Sequence, residues 1–333
     1  MLDHVTTNHQ KTILFGSYPQ SLVTEEALIR RLNEMAGVLP TENRPEKWTS
    51  YHFYYNNRPF DFCWYIDLTD GDKRYRGVYF SEWRPNITDL LEDDYEECSE
   101  TYEPAQQANG YKRKTVYWFL FEPIEWRVLY QGEDLALLLS CRSLDAREFF
   151  HATDQDDIEV ATHVPVDPND YSYSDLRFFL TEIFYRDAFS ERERERIVET
   201  EIINDTQSTV SYDQSDDLRG QDNPFVCKNT SDKLFALSVQ EVTDPLFGFD
   251  PNPRNSDSMR RVIPTDYAQA LGAGKVKVDC PSKGYGGWWL RSPDKDCPVD
   301  ARYVMPDGSA DWDDGLVTLN NLGVVPALWI KRR

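Results

Sequence analysis

Gly284-Tyr-Gly-Gly-Trp-Trp-Leu-Arg-Ser-Pro293 is answered some thirty residues later by Gly323-Val-Val-Pro-Ala-Leu-Trp-Ile330. Indole rings carry more apolar area than any other side chain, so a Trp-Trp pair inside a short apolar run belongs in a core. The two runs are therefore expected as anchored strands, with Trp288, Trp289, Pro326 and Trp329 packed and Arg291 a buried, charge-paired brace. Between them Asp300–Val304 reads as a strand, Pro306-Asp-Gly308 as a turn and Ser309–Trp312 as the return; Asp313-Asp-Gly315 turns again into Leu316–Leu319. Such hairpins would display Arg302, Tyr303, Asp311, Trp312, Asp313 and Asp314 together. An exposed aromatic among charges is the composition of a recognition surface, so these six are the candidate ligand-binding residues.

Working outward, Thr12–Pro19 reads as a strand ended by a Gly/Pro turn, and Glu25–Ala36 as an amphipathic helix. Residues 60–67 and 73–80 form a hairpin about Asp70-Gly71. Val116–Phe121 is a buried strand that Pro123 should break before Ile124–Leu129, and Leu135–Ser140 is an interior strand. Ser174 caps a helix whose Leu176, Phe179, Leu180, Ile183 and Phe184 make one apolar face. Ser190 and Glu193 form a capping box for a second helix, and Thr265 caps a short one over Asp266–Leu271. Leu234–Ser238 reads as a further strand. Short connections favour antiparallel neighbours. The expectation is a single α+β domain over residues 1–333, with antiparallel strands, a few helices and long loop insertions at 86–109, 205–231 and 245–257.

The chain has 333 residues, 58 acidic against 36 basic, for a net charge of −22. A field of that sign repels phosphate backbones, which argues against nucleic acid as a partner. The start, Met1-Leu-Asp-His-Val, lacks a basic segment followed by an apolar one, and no run of eighteen apolar residues occurs. The expectation is no membrane contact and a cytoplasmic location. Six scattered cysteines without a CxxC pair fit a reducing compartment better than a disulfide scaffold or a zinc site.

Catalytic signatures are missing from the five histidines, and there is no GxSxG, Walker loop or GxGxxG. The spacing Asp307, Ser309, Asp311, Asp313 invites a calcium reading but lacks the central glycine and the distal glutamate of an EF-hand. No catalytic residue, metal or cofactor is therefore expected.

Eight phrases stand in a common order: Ile13–Gln20, Pro123–Leu129, Ala136–Ser140 with Leu144-Asp145, Ser174–Leu180 with Ala188-Phe189, Leu234–Ser238, Pro264–Ala268, Trp288–Pro293 and Gly323–Ile330. Together they resemble a large bacterial family of uncharacterised domains, common in Firmicutes, over about residues 12–330. The C-terminal pattern is more distantly similar to the C-type-lectin-like fold of formylglycine-generating enzymes. That resemblance implies a lectin-like C-terminal core framing a ligand face, although relatives carry Arg where this chain has Val325. The function it implies is a non-catalytic module binding an unknown protein or glycan. The alternatives are an enzyme related to formylglycine generation using Cys280 or Cys297, and an assembly protein of a phage or cell surface.

Overall fold

The computed structural model describes residues 11–40, 47–51, 54–55, 58–59, 63–84, 104–153, 162–214, 223–310 and 314–332. Most of the expected 86–109 insertion lies outside them, as do Asp311, Trp312 and Asp313. The rest is strand-rich α+β, as expected, with a large eight-stranded sheet, a small five-stranded one and three two-stranded pairs among the described residues.

In the large sheet the order is Ile197–Val198, Ala327–Lys331, Leu135–Ser140, Val116–Gln131, Lys73–Phe80, Cys63–Asp70 and Thr49–Ser50, with Thr12–Leu22 also pairing to Val116–Gln131. Every neighbour in it is antiparallel. The hairpin expected about Asp70-Gly71 is present, with Asp70 opposite Lys73. The small sheet runs Asp145–Ala146, Gly323–Val324, Trp288–Pro293, Asp300–Val304 and Asp314–Leu316. Its single parallel contact sets Trp288 beside Gly323.

Four expectations about local structure need correction, the first being that Asp314-Gly315 lies in the short strand Asp314–Leu316 rather than in a turn leading into a strand over Leu316–Leu319. Pro123 does not break its strand, which runs unbroken over Val116–Gln131. Lys73–Phe80 pairs as far as Leu120 and Leu135–Ser140 starts at Trp126, so on that side the ladder asks nothing of Pro123. Nor do Gly16 and Pro19 end the first strand; it bulges between Leu14 and Ser17 and continues to Leu22. Gly16 sits there at φ +71°, where a Cβ would stand 2.6 Å from the Phe189 ring. Leu234–Ser238 is not a strand: it pairs only through Phe235 with Ala327, and Ser238 turns to cap the helix Val239–Val242.

The closing segment Gly323–Lys331 crosses from one sheet to the other. Gly323 and Val324 pair with Ala146 and Asp145 in the small sheet, and Ala327–Lys331 pairs with Leu135–Leu139 in the large one. Pro326, buried between the two, accepts the Ser140 N–H at 3.0 Å. Gly323 tolerates no side chain, since a Cβ would meet Ser143 Oγ at 1.8 Å.

Trp288 and Trp289 are among the most buried side chains. Their ring N–H groups donate to the carbonyls of Arg260 (2.9 Å) and Arg147 (2.8 Å). Arg291 is buried and braced by Asn204, Ala236, Ile203 and Glu241. Trp329 is half-buried and meets Tyr130 edge-on. Trp288→Ala removes a fully buried ring and orphans the Arg260 carbonyl. It should cost roughly 3–5 kcal/mol in urea unfolding; a loss below about 1 kcal/mol would contradict this packing.

Candidate functional site

A helix spanning 175–188 lies across one face of the large sheet, and between them opens a cleft of ≈ 990 Å³. Ser174 caps the helix by accepting the Arg177 N–H at 3.1 Å. Leu176, Phe179, Leu180, Phe184 and Ala188 face the core. The middle of the helix, Phe179–Phe184, is wound as a π-helix. The wider turn is costly, and such turns recur where a helix serves a site. It contributes Thr181, Glu182 and Ile183 to the cleft wall, flanked by Phe178 and Tyr185. Phe178 is 56% exposed, an apolar ring left in water at the cleft.

Tyr18, Tyr51, Tyr65, Arg76 and Arg147 make the opposite wall. Arg76 is only 2% exposed and fully engaged with its surroundings. Its guanidinium grips Asp67 in a bidentate pair (2.7 and 2.9 Å), reaches Asp187 at 3.2 Å and the Tyr267 hydroxyl at 3.3 Å, and lies over the Tyr65 ring at 4.4 Å. Burial opposes the ionisation of Asp67, but the hydrogen bonds and charge of Arg76, helped by Arg74, hold its carboxyl below the ordinary value. Tyr18 donates to Asp145 at 2.9 Å. Asp145 is wholly buried; burial pushes its pKa up against the Arg147 charge, the Tyr18 hydroxyl and the Ala146 N–H. The hydroxyls of Tyr51 and Tyr267 meet directly, and burial pushes both, like Tyr18, far above the usual phenol range.

At the helix side Arg177 clamps Asp232, with Nε at 2.9 Å and Nη2 at 2.7 Å from Oδ1. Phenols held this firmly protonated donate and accept hydrogen bonds; they do not supply a base or a nucleophile. With every buried arginine of this group paired to a carboxylate, the arrangement is suited to holding a polar ligand against aromatic faces.

The sequence-derived face is only partly described. Arg302 is 8% exposed and spends Nη2 on the Ala310 carbonyl at 2.8 Å. Tyr303 is half-buried and meets Trp289 edge-on. Asp314 pairs opposite Arg302 in the backbone ladder, and Asp311, Trp312 and Asp313 fall outside the described residues. Asp307, from the calcium reading, accepts from the Ser309 amide and hydroxyl. Beside it the buried Arg260 donates to the carbonyls of Val242, Asp250, Asn252, Asn255 and Gly308. Among the described residues no three His, Cys, Asp or Glu side chains gather as a metal site. Cys280 and Cys297 are free thiols, and burial raises the pKa of Cys297.

Sequence reasoning missed the cleft. One signal was available: Arg76 stands inside a strand apolar on both faces, sharing a face with Val78 and Phe80, so its charge had to be met by partners.

The molecule is thus an α+β protein dominated by two sheets, with a polar, aromatic-walled cleft. The chain belongs to the family described as a domain of unknown function, DUF6273, whose sequence model matches residues 138–332, more than half of its length. No curated protein and no solved structure matches it. The helix side of the cleft falls within the matched stretch, whereas Tyr18, Tyr51, Tyr65 and Arg76 precede it, as do the phrases Ile13–Gln20 and Pro123–Leu129.

A carboxyl held below its unfolded value adds stability that is complete above about pH 3.9 and is lost as pH falls through the folded value. Asp67→Asn should therefore cost about 3 kcal/mol at pH 7, since it strands the buried Arg76. The gap from wild type in unfolding free energy should shrink below about pH 4, where the carboxyl of the unfolded chain begins to take up a proton, and be lost as pH falls through the lower folded value. A gap independent of pH would contradict the pairing.

Proposed function

We propose that the protein is a non-catalytic binding module that takes a small polar ligand, of the size and character of a saccharide, in the cleft between helix 175–188 and the large sheet. The observation that carries this reading is the helix wall, π-wound directly after Phe178, where that exposed ring stands on the cleft lining with hydrogen-bonding side chains from further elements. An aromatic face packs the C–H surface of a sugar ring, and clamped Arg–Asp pairs offer fixed donors at little ordering cost. The enzymatic alternative through Cys297 is disfavoured by a thiol whose pKa burial raises, the reverse of nucleophile activation.

A second reading keeps the ligand on the C-terminal face of Arg302, Tyr303, Asp311, Trp312, Asp313 and Asp314. It is favoured by Asp314–Leu316 being the edge strand of the small sheet, with Tyr303 half-exposed on its neighbour. The lectin-like resemblance of the C-terminal segment belongs with this reading. Its support is the Trp-bearing strand lying directly beside the closing one, as Trp288 lies beside Gly323.

Hydrogen–deuterium exchange with a panel of neutral and acidic mono- and disaccharides separates the two sites. The cleft reading expects added protection in peptides covering 176–187; protection confined to 300–316 would move the site to the C-terminal face. Phe178→Ala should weaken binding about tenfold, roughly 1.4 kcal/mol, while leaving the melting temperature within about 2 °C, because an exposed ring contributes little to stability. Undiminished binding by this variant would contradict the cleft.

A further inference from the structure

Resting on the cleft reading, we infer that the ligand carries an oxyanion, seated where Arg194 and Lys233 converge on Tyr185. The Arg194 guanidinium stands 5.8 Å and the Lys233 ammonium 4.9 Å from the centre of that one ring, and Lys233 also donates to its hydroxyl at 3.3 Å. All three side chains line the cleft. Among the described residues neither cation stands within ion-pair distance of a carboxylate, unlike Arg76, Arg177 and Arg186. Both cations stand within 5.8 Å of one ring centre, so an anion bound beside that ring is attracted by both.

The neighbouring carboxylates are largely occupied. Asp187 is held by Arg76 and Arg186, Asp232 by Arg177, and Glu199 accepts from the Ser231 hydroxyl at 2.9 Å; Glu182 is the remaining one on the lining. Unspent donors are plentiful by contrast. Among the described residues Arg177 uses one N–H of Nη1 on the Ser172 carbonyl and one of Nη2 on Asp232, leaving one on each, and Lys233 has two to spare. A lining with donors in excess fits a ligand rich in acceptors. Arginine and lysine together suit a carboxylate or a phosphate, and the Phe178 ring suits the sugar that bears it.

The test is calorimetric titration of the full chain with glucuronate, glucose 6-phosphate and glucose, at 50 and 500 mM NaCl. At low salt at least one of the two anions should bind about tenfold more tightly than glucose, equivalent to roughly 1.4 kcal/mol. The stronger of the two identifies carboxylate or phosphate as the source. That advantage should shrink several-fold at high salt while glucose is unaffected, and Arg194→Gln/Lys233→Gln should abolish it. Glucose binding as tightly as both anions, with protection in 176–187, would overturn the oxyanion seat and leave the cleft standing. No binding by any of the three, without protection there, would overturn both. An anion preference that survives in the folded double variant would overturn the assignment to Arg194 and Lys233.

Discussion

The architecture depends on one continuous stretch of backbone serving two sheets. Gly323 and Val324 complete the small sheet between Trp288 and Asp145–Ala146, and three residues on, the same chain is in Ala327–Lys331, the strand next to the edge of the large one. A polypeptide can change sheets this abruptly only where it is tightly packed on both sides. The absence of a Cβ at Gly323 lets it pass Ser143, and the buried ring of Pro326 fixes the turn between the ladders. The tryptophan pair then packs against what this crossing encloses. Trp288 belongs to the cluster with Leu137, Leu139 and Ala327, and Trp289 to the one with Leu138, Val324 and Leu328.

The cleft follows from that arrangement. Asp145 sits in the two-residue strand paired to the closing stretch, and its carboxylate holds Tyr18 from the first strand of the large sheet. Arg147, two residues on, stacks over Phe179 of the π-wound helix at 4.0 Å. One short segment therefore ties together the small sheet, the first strand of the large sheet and the helix wall. Its buried groups hold one another, Asp145 accepting from Tyr18 and pairing with Arg147.

Much of the frame was legible from residue pattern alone. The capped helices at Ser174, Ser190 and Thr265 and the hairpin at Asp70 rest on local rules that the surrounding fold leaves intact. Errors arose where tertiary pairing decides what a residue is allowed to do. Pro123 is harmless because one side of its strand is unpaired just there, and Gly16 is a bulge because Phe189 and Ala188 fill the space its side chain would take. The cleft was hidden for the same reason. Its walls come from residues as distant as Tyr18 and Lys233, and their chemistry is arginine and tyrosine rather than a spaced motif. The π-turn leaves the apolar face of the helix unchanged in sequence, so periodicity could not reveal it.

The central claim is that the closing stretch makes both sheets one cooperative unit and so pre-forms the cleft. Residue-resolved amide exchange of the unliganded protein tests it most directly. Three amides report on the crossing: Gly323 to the Gly287 carbonyl, Leu144 to that of Val324, and Ser140 to that of Pro326. The account predicts that all three exchange only through global unfolding, with one common free energy and one denaturant dependence. Exchange of Gly323 and Leu144 through a cheaper opening, while Ser140 stays protected, would show two separable sheets and contradict it.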